Sequence, residues 1–342
     1  MLKALDSYRK AVVLLCAAIF AGINVTAADT DPYVCVYVTS WTDDVPDVSR
    51  VNCINYAFGH VSESFDSVCI DNEGRLRQLL ELKKSHRNLK VVLSIGGWGS
   101  GGFSELAADA LKRRAFAWHC RSLIWDMGID GIDIDWEYPT DSESGISSSP
   151  DDVANFTKLI KEIRTAIGPR RILSVAVISS AMYVDFWSVT KYVDYYNVMT
   201  YDMGEPPYHN SPLYTSERVK NISVSESVDK FVRFGVPHEK IVIGIPFYGR
   251  GSGDFHDNVK NTEAHLLSNY FYNWDDDSKV PYLTDKAGAY MYSYEDTMSI
   301  RYKCEYVNNE GIKGVMCWPN SGDDEKGTLL KAAYDALVGS GH

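Results

Sequence analysis

Eight short runs of apolar, β-branched and aromatic residues recur along the chain: Tyr33 to Val38, Val51 to Phe58, Lys90 to Ile95, Gly131 to Trp136, Ile172 to Ile178, Val193 to Met199, Lys240 to Pro246 and Gly314 to Trp318. Near-continuous hydrophobicity over so short a span suits a strand covered on both faces, the condition of a parallel sheet. Helical patterns fill the intervals. Leu76, Leu79 and Leu80 follow the second run, Phe116, Cys120, Leu123 and Met127 the third, and Phe156, Leu159, Ile160, Ile163 and Ile167 the fourth, all at 3.6-residue spacing. Gly128, the pair Gly168-Pro169, and Gly235 with Pro237 stand where such helices should stop. Eight strands alternating with helices over about 300 residues predict a single-domain α/β fold of the (β/α)8 TIM-barrel type. A doubly wound sheet is the rival, but no dinucleotide fingerprint follows the first strand, and the glycine run Gly249 to Gly253 opens no clear helix.

The first 27 residues stand apart from this pattern. Lys3, Arg9 and Lys10 precede an apolar run from Ala11 to Ile23, and Val25-Thr26-Ala27 offers the small residues of a signal-peptidase site. The run is short of the ~20 residues needed to span a bilayer, so residues 1–27 are read as a signal peptide and 28–342 as the barrel domain, secreted or periplasmic and free of the membrane after cleavage. The net charge of -12 argues against nucleic acid as a partner, because phosphate backbones attract basic faces. Six cysteines lie beyond the leader, scattered and partly within apolar runs such as Val34-Cys35-Val36. No disulfide framework and no zinc spacing is expected of them.

The chemistry is concentrated in Asp130-Gly131-Ile132-Asp133-Ile134-Asp135-Trp136-Glu137-Tyr138-Pro139. Strand side chains alternate, so Asp133, Asp135 and Glu137 share one face while Ile132, Ile134 and Trp136 share the other. In a barrel the apolar face packs on the helices, which sends the three carboxylates into the lumen, climbing toward the C-terminal rim where such barrels do chemistry. Asp130 has the opposite parity and is given a supporting place near the strand's start. Three confined carboxylates cannot all ionise cheaply, so a shared proton and a raised pKa for the outermost, Glu137, are expected. Two other readings of the row are a solvated acidic face and a calcium site, although a calcium cage usually comes from a loop rather than a straight strand.

This row, met in full as Asp-x-x-Asp-x-Asp-x-Glu, resembles the signature of glycoside hydrolase family 18, and in particular its bacterial chitinases. Ser94-Ile95-Gly96-Gly97, Met199-Thr200-Tyr201-Asp202 and Pro246-Phe247-Tyr248-Gly249-Arg250 are similar to the family's third-, sixth- and seventh-strand signatures. The resemblance implies a retaining, substrate-assisted hydrolysis of β-1,4-linked N-acetylglucosamine chains, cut internally, in which the substrate's own acetamido oxygen is the nucleophile. It further implies Glu137 as general acid and base, Asp135 as the group that orients the acetamido N–H, Asp133 as holder of the shared proton, and Tyr201 as donor to the acetamido oxygen with Asp202 nearby. Trp318 becomes the floor beneath the reactive sugar and Trp98 a stacking surface for its neighbour. Gly97, Tyr37, Phe58, Met199, Tyr138 and Arg250 become lining residues. The implied partner is chitin or chitooligosaccharide, with no cofactor, no metal and a monomeric chain.

Pro319 beside Trp318 departs from the family's pattern. Only about 60 residues separate Arg250 from Gly314, with a helical pattern at Ile300, Cys304 and Val307, so at most a small insertion between strands seven and eight is expected, and with it a shallow cleft. Two other functions use the same features: an endo-β-N-acetylglucosaminidase acting on N-glycans, and a catalytically silent glycan-binding lectin.

Overall fold

A computed structural model describes residues 33–252 and 269–339; the residues read as a signal peptide lie outside these. The barrel strands are β1 (Tyr33–Thr39), β2 (Cys53–Val61), β3 (Lys90–Gly96), β4 (Gly131–Asp135), β5 (Ile172–Ile178), β6 (Tyr195–Met199), β7 (Ile241–Pro246) and β8 (Gly314–Trp318). Each pairs in parallel with its neighbours, and β1 pairs with both β2 and β8, closing the sheet into an eight-stranded barrel. A short strand, Val68–Ile70, pairs antiparallel with the upper end of β2. The expected fold is therefore the observed one, with strand bounds shifted by up to three residues, the most at the end of β2.

Alternation divides the apolar residues into two cores. One side of each strand packs on the surrounding helices, as with Ile132, Ile134 and Trp136 of the β4 segment. The other fills the lumen with Cys35, Tyr37, Cys53, Val92, Tyr195, Val242 and Met316. Helices follow every strand but the first, whose connection through residues 40–52 is irregular. The expected stops hold where glycine can take positive φ: α3 (Ala110–Met127) ends at Gly128 with φ 78°, and α4 (Asp152–Ile167) at Gly168 with φ 80°. The two helices preceding them are α1 (Glu73–Glu81) and α2 (Phe103–Ala108).

Between β7 and β8 the chain builds a small antiparallel sheet that the apolar runs do not announce. Its strands are Arg250–Gly251, Phe271–Asp275, Val280–Thr284 and Tyr290–Ser293. Tyr282 stacks on Tyr290 at 4.8 Å. His209, from the loop after β6, bridges Tyr290 Oη and Asp275 Oδ2, each at 2.8 Å. That clasp fixes the long loop after β6 against the insertion.

Candidate active site

The carboxylate row begins at the middle of β4. Asp133 is fully buried, and each of its oxygens takes two donors: Oδ2 accepts from Tyr37 Oη at 2.9 Å and Ser94 Oγ at 2.8 Å, and Oδ1 from Ser174 Oγ at 2.6 Å and Asn197 Nδ2 at 3.1 Å. Those four residues sit on β1, β3, β5 and β6, so the barrel's closure is what assembles them. Burial pushes the Asp133 carboxyl up, and the four donors pull it back. Asp135 lies two residues higher. It is also buried, and its Oδ1 has no hydrogen-bond partner. Burial, then the charges of Glu137 and Asp133, raise its pKa well above the ordinary carboxyl value.

These surroundings separate the two inner carboxyls. Asp133, saturated by donors, is solvated as an anion by its neighbours, whereas Asp135 has neither that support nor a counter-charge. Sequence parity could not separate the two, because Ser174 and Asn197 arrive from strands more than 40 residues away.

Glu137 stands past the end of β4, which stops at Asp135. Its carboxyl is raised to about 7, first by burial and then by the charge of Asp202, against an opposing pull from the Tyr138 hydroxyl. Its backbone carbonyl accepts from Ser144 Oγ at 2.8 Å, so the Ser-rich loop after β4 helps fix this residue. Two glycines let the chains meet here. A Cβ on Gly96 would lie 1.9 Å from the carbonyl oxygen of Asp135, and one on Gly97 would lie 2.9 Å from the Phe58 ring. Gly97 N–H donates to that same Asp135 carbonyl at 2.9 Å.

Tyr201 lies beyond the end of β6, buried in the lumen cluster with Met199. Burial and then Tyr248, with Asp135, Asp202 and Glu137 adding to them, raise its phenol well above 10, so it keeps its proton as a donor. Gly244 on β7 makes room for it, since a Cβ there would sit 2.7 Å from the Tyr201 ring. The preceding Thr200 is tied to Gly244 by Oγ1 donating to the carbonyl at 2.7 Å and accepting from the N–H at 2.8 Å. Asp202 Oδ1 accepts from Tyr248 Oη at 2.7 Å and from Arg250 Nε and Nη2 at 2.9 and 2.7 Å.

Aromatic rings flank the carboxylates on two sides. Trp318 meets Tyr37 edge-on at 5.7 Å and Phe58 at 5.8 Å, with Trp41 a further 6.3 Å from Phe58. Tyr37 itself is 2% exposed with its hydroxyl on Asp133, so it backs the site rather than lining an open surface. Trp98, 61% exposed, stands 6.3 Å from Tyr138, which stacks on Tyr183 at 5.3 Å. Trp41, Tyr183 and Gly244 escape the motif reading. Ser174 and Asn197 have a visible signal: each is a polar residue inside an otherwise apolar strand run. Asp130 takes a structural place at the foot of β4, where Oδ2 accepts from Lys83 Nζ at 2.6 Å and from Val91 N at 2.8 Å.

Comparison with known proteins agrees with this geometry. Residues 33–323 match the family model described as glycosyl hydrolases family 18. The chain is 31% identical over 319 residues to chitinase A1 of Niallia circulans, an alignment covering 78% of this chain and 45% of that protein, so it spans about half of that relative's length. A family 18 N-acetylglucosaminidase from Paenibacillus barengoltzii superposes with a TM-score of 0.81 at 36% identity, covering 90% of this chain and all of the other. The Group IV chitinase of Ostrinia furnacalis, in complex with allosamidin, gives a TM-score of 0.82 at 27% identity over 91% of this chain and all of the other. With a family match over most of its length and the signature carboxylates gathered at the barrel mouth, the chain belongs to glycosyl hydrolases family 18.

Proposed function

We propose that the chain is an endo-acting chitinase that hydrolyses β-1,4 bonds between N-acetylglucosamine units with retention of configuration. The observation that carries this reading is the graded row along β4 and just past its end: a donor-saturated Asp133, an Asp135 whose buried Oδ1 has no hydrogen-bond partner, and a Glu137 whose carboxyl is raised to about 7. A carboxyl with that pKa is half protonated near neutrality and serves as both acid and base.

Glu137 protonates the glycosidic oxygen while the acetamido carbonyl of the same sugar closes on the anomeric carbon, giving an oxazolinium ion. Deprotonated Glu137 then takes a proton from water, which opens the ring with net retention. Asp135 holds the acetamido N–H and balances the developing positive charge; Tyr201 donates to the acetamido oxygen. Trp318 and Trp98 offer apolar faces to pyranose rings, with Phe58, Met199, Tyr138, Gly97, Asp202 and Arg250 around them and Tyr37 behind.

We further propose that residues 28–342 form the exported catalytic domain after removal of 1–27, working as a monomer on chitin or its oligosaccharides. Likeness to enzymes of Niallia and Paenibacillus supports the bacterial character expected from the motifs, and likeness to the Ostrinia enzyme shows that the similarity extends beyond bacteria.

The 36% identity to an N-acetylglucosaminidase favours a second reading, removal of single sugars from a chain end. A product profile from the N-acetylglucosamine hexamer separates the two. Dimers, trimers and tetramers as first products support internal cleavage; monomer and pentamer alone support the second reading; an intact hexamer refutes both.

A further inference from the structure

The loop that presents Trp98 is anchored at its start, where Gly97 N–H donates to the Asp135 carbonyl at 2.9 Å, and is rich in glycine beyond that point. Residues 97, 99, 101 and 102 are all glycine, and Gly97, Gly99 and Gly102 carry φ of 94°, 80° and 89°. Each glycine loses more backbone entropy on ordering than any other residue would, so such a segment is costly to hold in one conformation. Trp98 itself is 61% exposed and meets the Tyr138 ring edge-on at 6.3 Å. Within the loop, Ser100 N–H donates to Gly97 O at 2.9 Å, which shapes the turn but ties it to nothing outside.

A polar side chain reaches Ser100 from a rigid element. His60, near the upper end of β2, places Nδ1 2.7 Å from Ser100 Oγ, and its Nε2 lies 2.9 Å from Asp71 Oδ2. Asp71 is fixed in turn: its N–H donates to Phe58 O at 3.1 Å and its carbonyl accepts from Tyr56 Oη at 2.6 Å. The carboxylate can only accept, so Nε2 carries a proton. Nδ1 then faces a hydroxyl, which both donates and accepts, so the contact survives whether the ring is neutral or charged.

We infer that His60 is a positioning residue for sugar binding: braced by Asp71, it ties Ser100 and thereby holds the glycine loop in the conformation that offers the Trp98 ring to the chain. The inference rests on the proposed chitinase reading, in which Trp98 stacks on a sugar beside the reactive one.

The test is a mutant cycle on the N-acetylglucosamine hexamer. His60→Ala should raise KM roughly three- to tenfold, about the net worth of one hydrogen bond, with kcat falling less than KM rises. Ser100→Ala removes the same tie from the loop side and should match it, and the double variant should be no worse than either single one. In a Trp98→Ala background, His60→Ala should add nothing, because the ring it positions is gone. An unchanged KM in both single variants would overturn the inference, as would an equal KM rise in the Trp98→Ala background. Hexamer dissociation constants on the Glu137→Gln chain give the same ladder without turnover. Failure of the wild-type chain to cut the hexamer counts against the chitinase reading, and the cycle counts for or against the tether.

Discussion

Three carboxyl groups in one row, two on β4 and Glu137 just past its end, differ because of what surrounds each. Asp133 has four donors, Asp135 has a buried oxygen with none, and Glu137 sits at the mouth with Asp202 facing it. The folded pKa of about 7 for Glu137 lies above its ordinary 4.5, which fixes two signs. As acid, Glu137 must be protonated before the bond breaks, so kcat/KM should fall about tenfold per pH unit above about 7. In stability the folded chain holds a proton that the unfolded chain releases between about 4.5 and about 7, so stability is lost as pH rises through that window. Glu137→Gln should cost several orders of magnitude in turnover while sparing sugar binding. It should also become more stable than wild type by on the order of 2 kcal/mol at pH 8 and by almost nothing at pH 4. Denaturation of both proteins at the two pH values checks this, and an equal difference at both would contradict it. The identity of the row was readable because strand parity is local. The difference between Asp133 and Asp135 was not, because it depends on Ser174 and Asn197, which only folding brings beside Asp133.

Strands and loops meet at the site with no spare volume. Gly96 at the end of β3 lies against the Asp135 carbonyl, Gly97 against Phe58, and Gly244 on β7 against Tyr201. Gly96 combines φ of 127° with a Cβ position 1.9 Å from backbone oxygen, so alanine there must move either β3 or β4. Gly96→Ala should destabilise by ~3 kcal/mol or more and impair turnover. Gly74→Ala is the control: in helix α1, with nothing nearer than 3.7 Å to the added Cβ, it should gain a few tenths to about 1 kcal/mol. Urea midpoints for the two variants check both, and a small loss at Gly96 would contradict the packing argument. Apolar runs and helix stops were legible because buried parallel strands and glycine caps have strong local signatures. The insertion was not: its edge strand, Phe271–Asp275, has no fully buried residue, and its order comes from pairing, tyrosine stacking and the His209 clasp.

On the scale of the whole molecule, closure of the barrel turns one acidic strand into a site. Ser94 and Ser174 lie on the strands flanking β4, level with Asp133 in the pairing, while Tyr37 and Asn197 reach it from farther round the sheet. The loops above β3, β4 and β6 bring Trp98, Glu137 and Tyr201 over that base. The acidic net charge fits a neutral substrate that needs ring faces and hydrogen bonds rather than cations. The central claim is that such a substrate supplies its own nucleophile, and it rests on the proposed roles of Glu137 as acid and base and of Asp135 as holder of the acetamido group. The most direct measurement compares kcat/KM for two aryl disaccharides with the same leaving group, one built from N-acetylglucosamine and the other from glucose. The account predicts that the glucose compound is cut slower by several orders of magnitude even at saturating concentration; equal turnover of the two would contradict it.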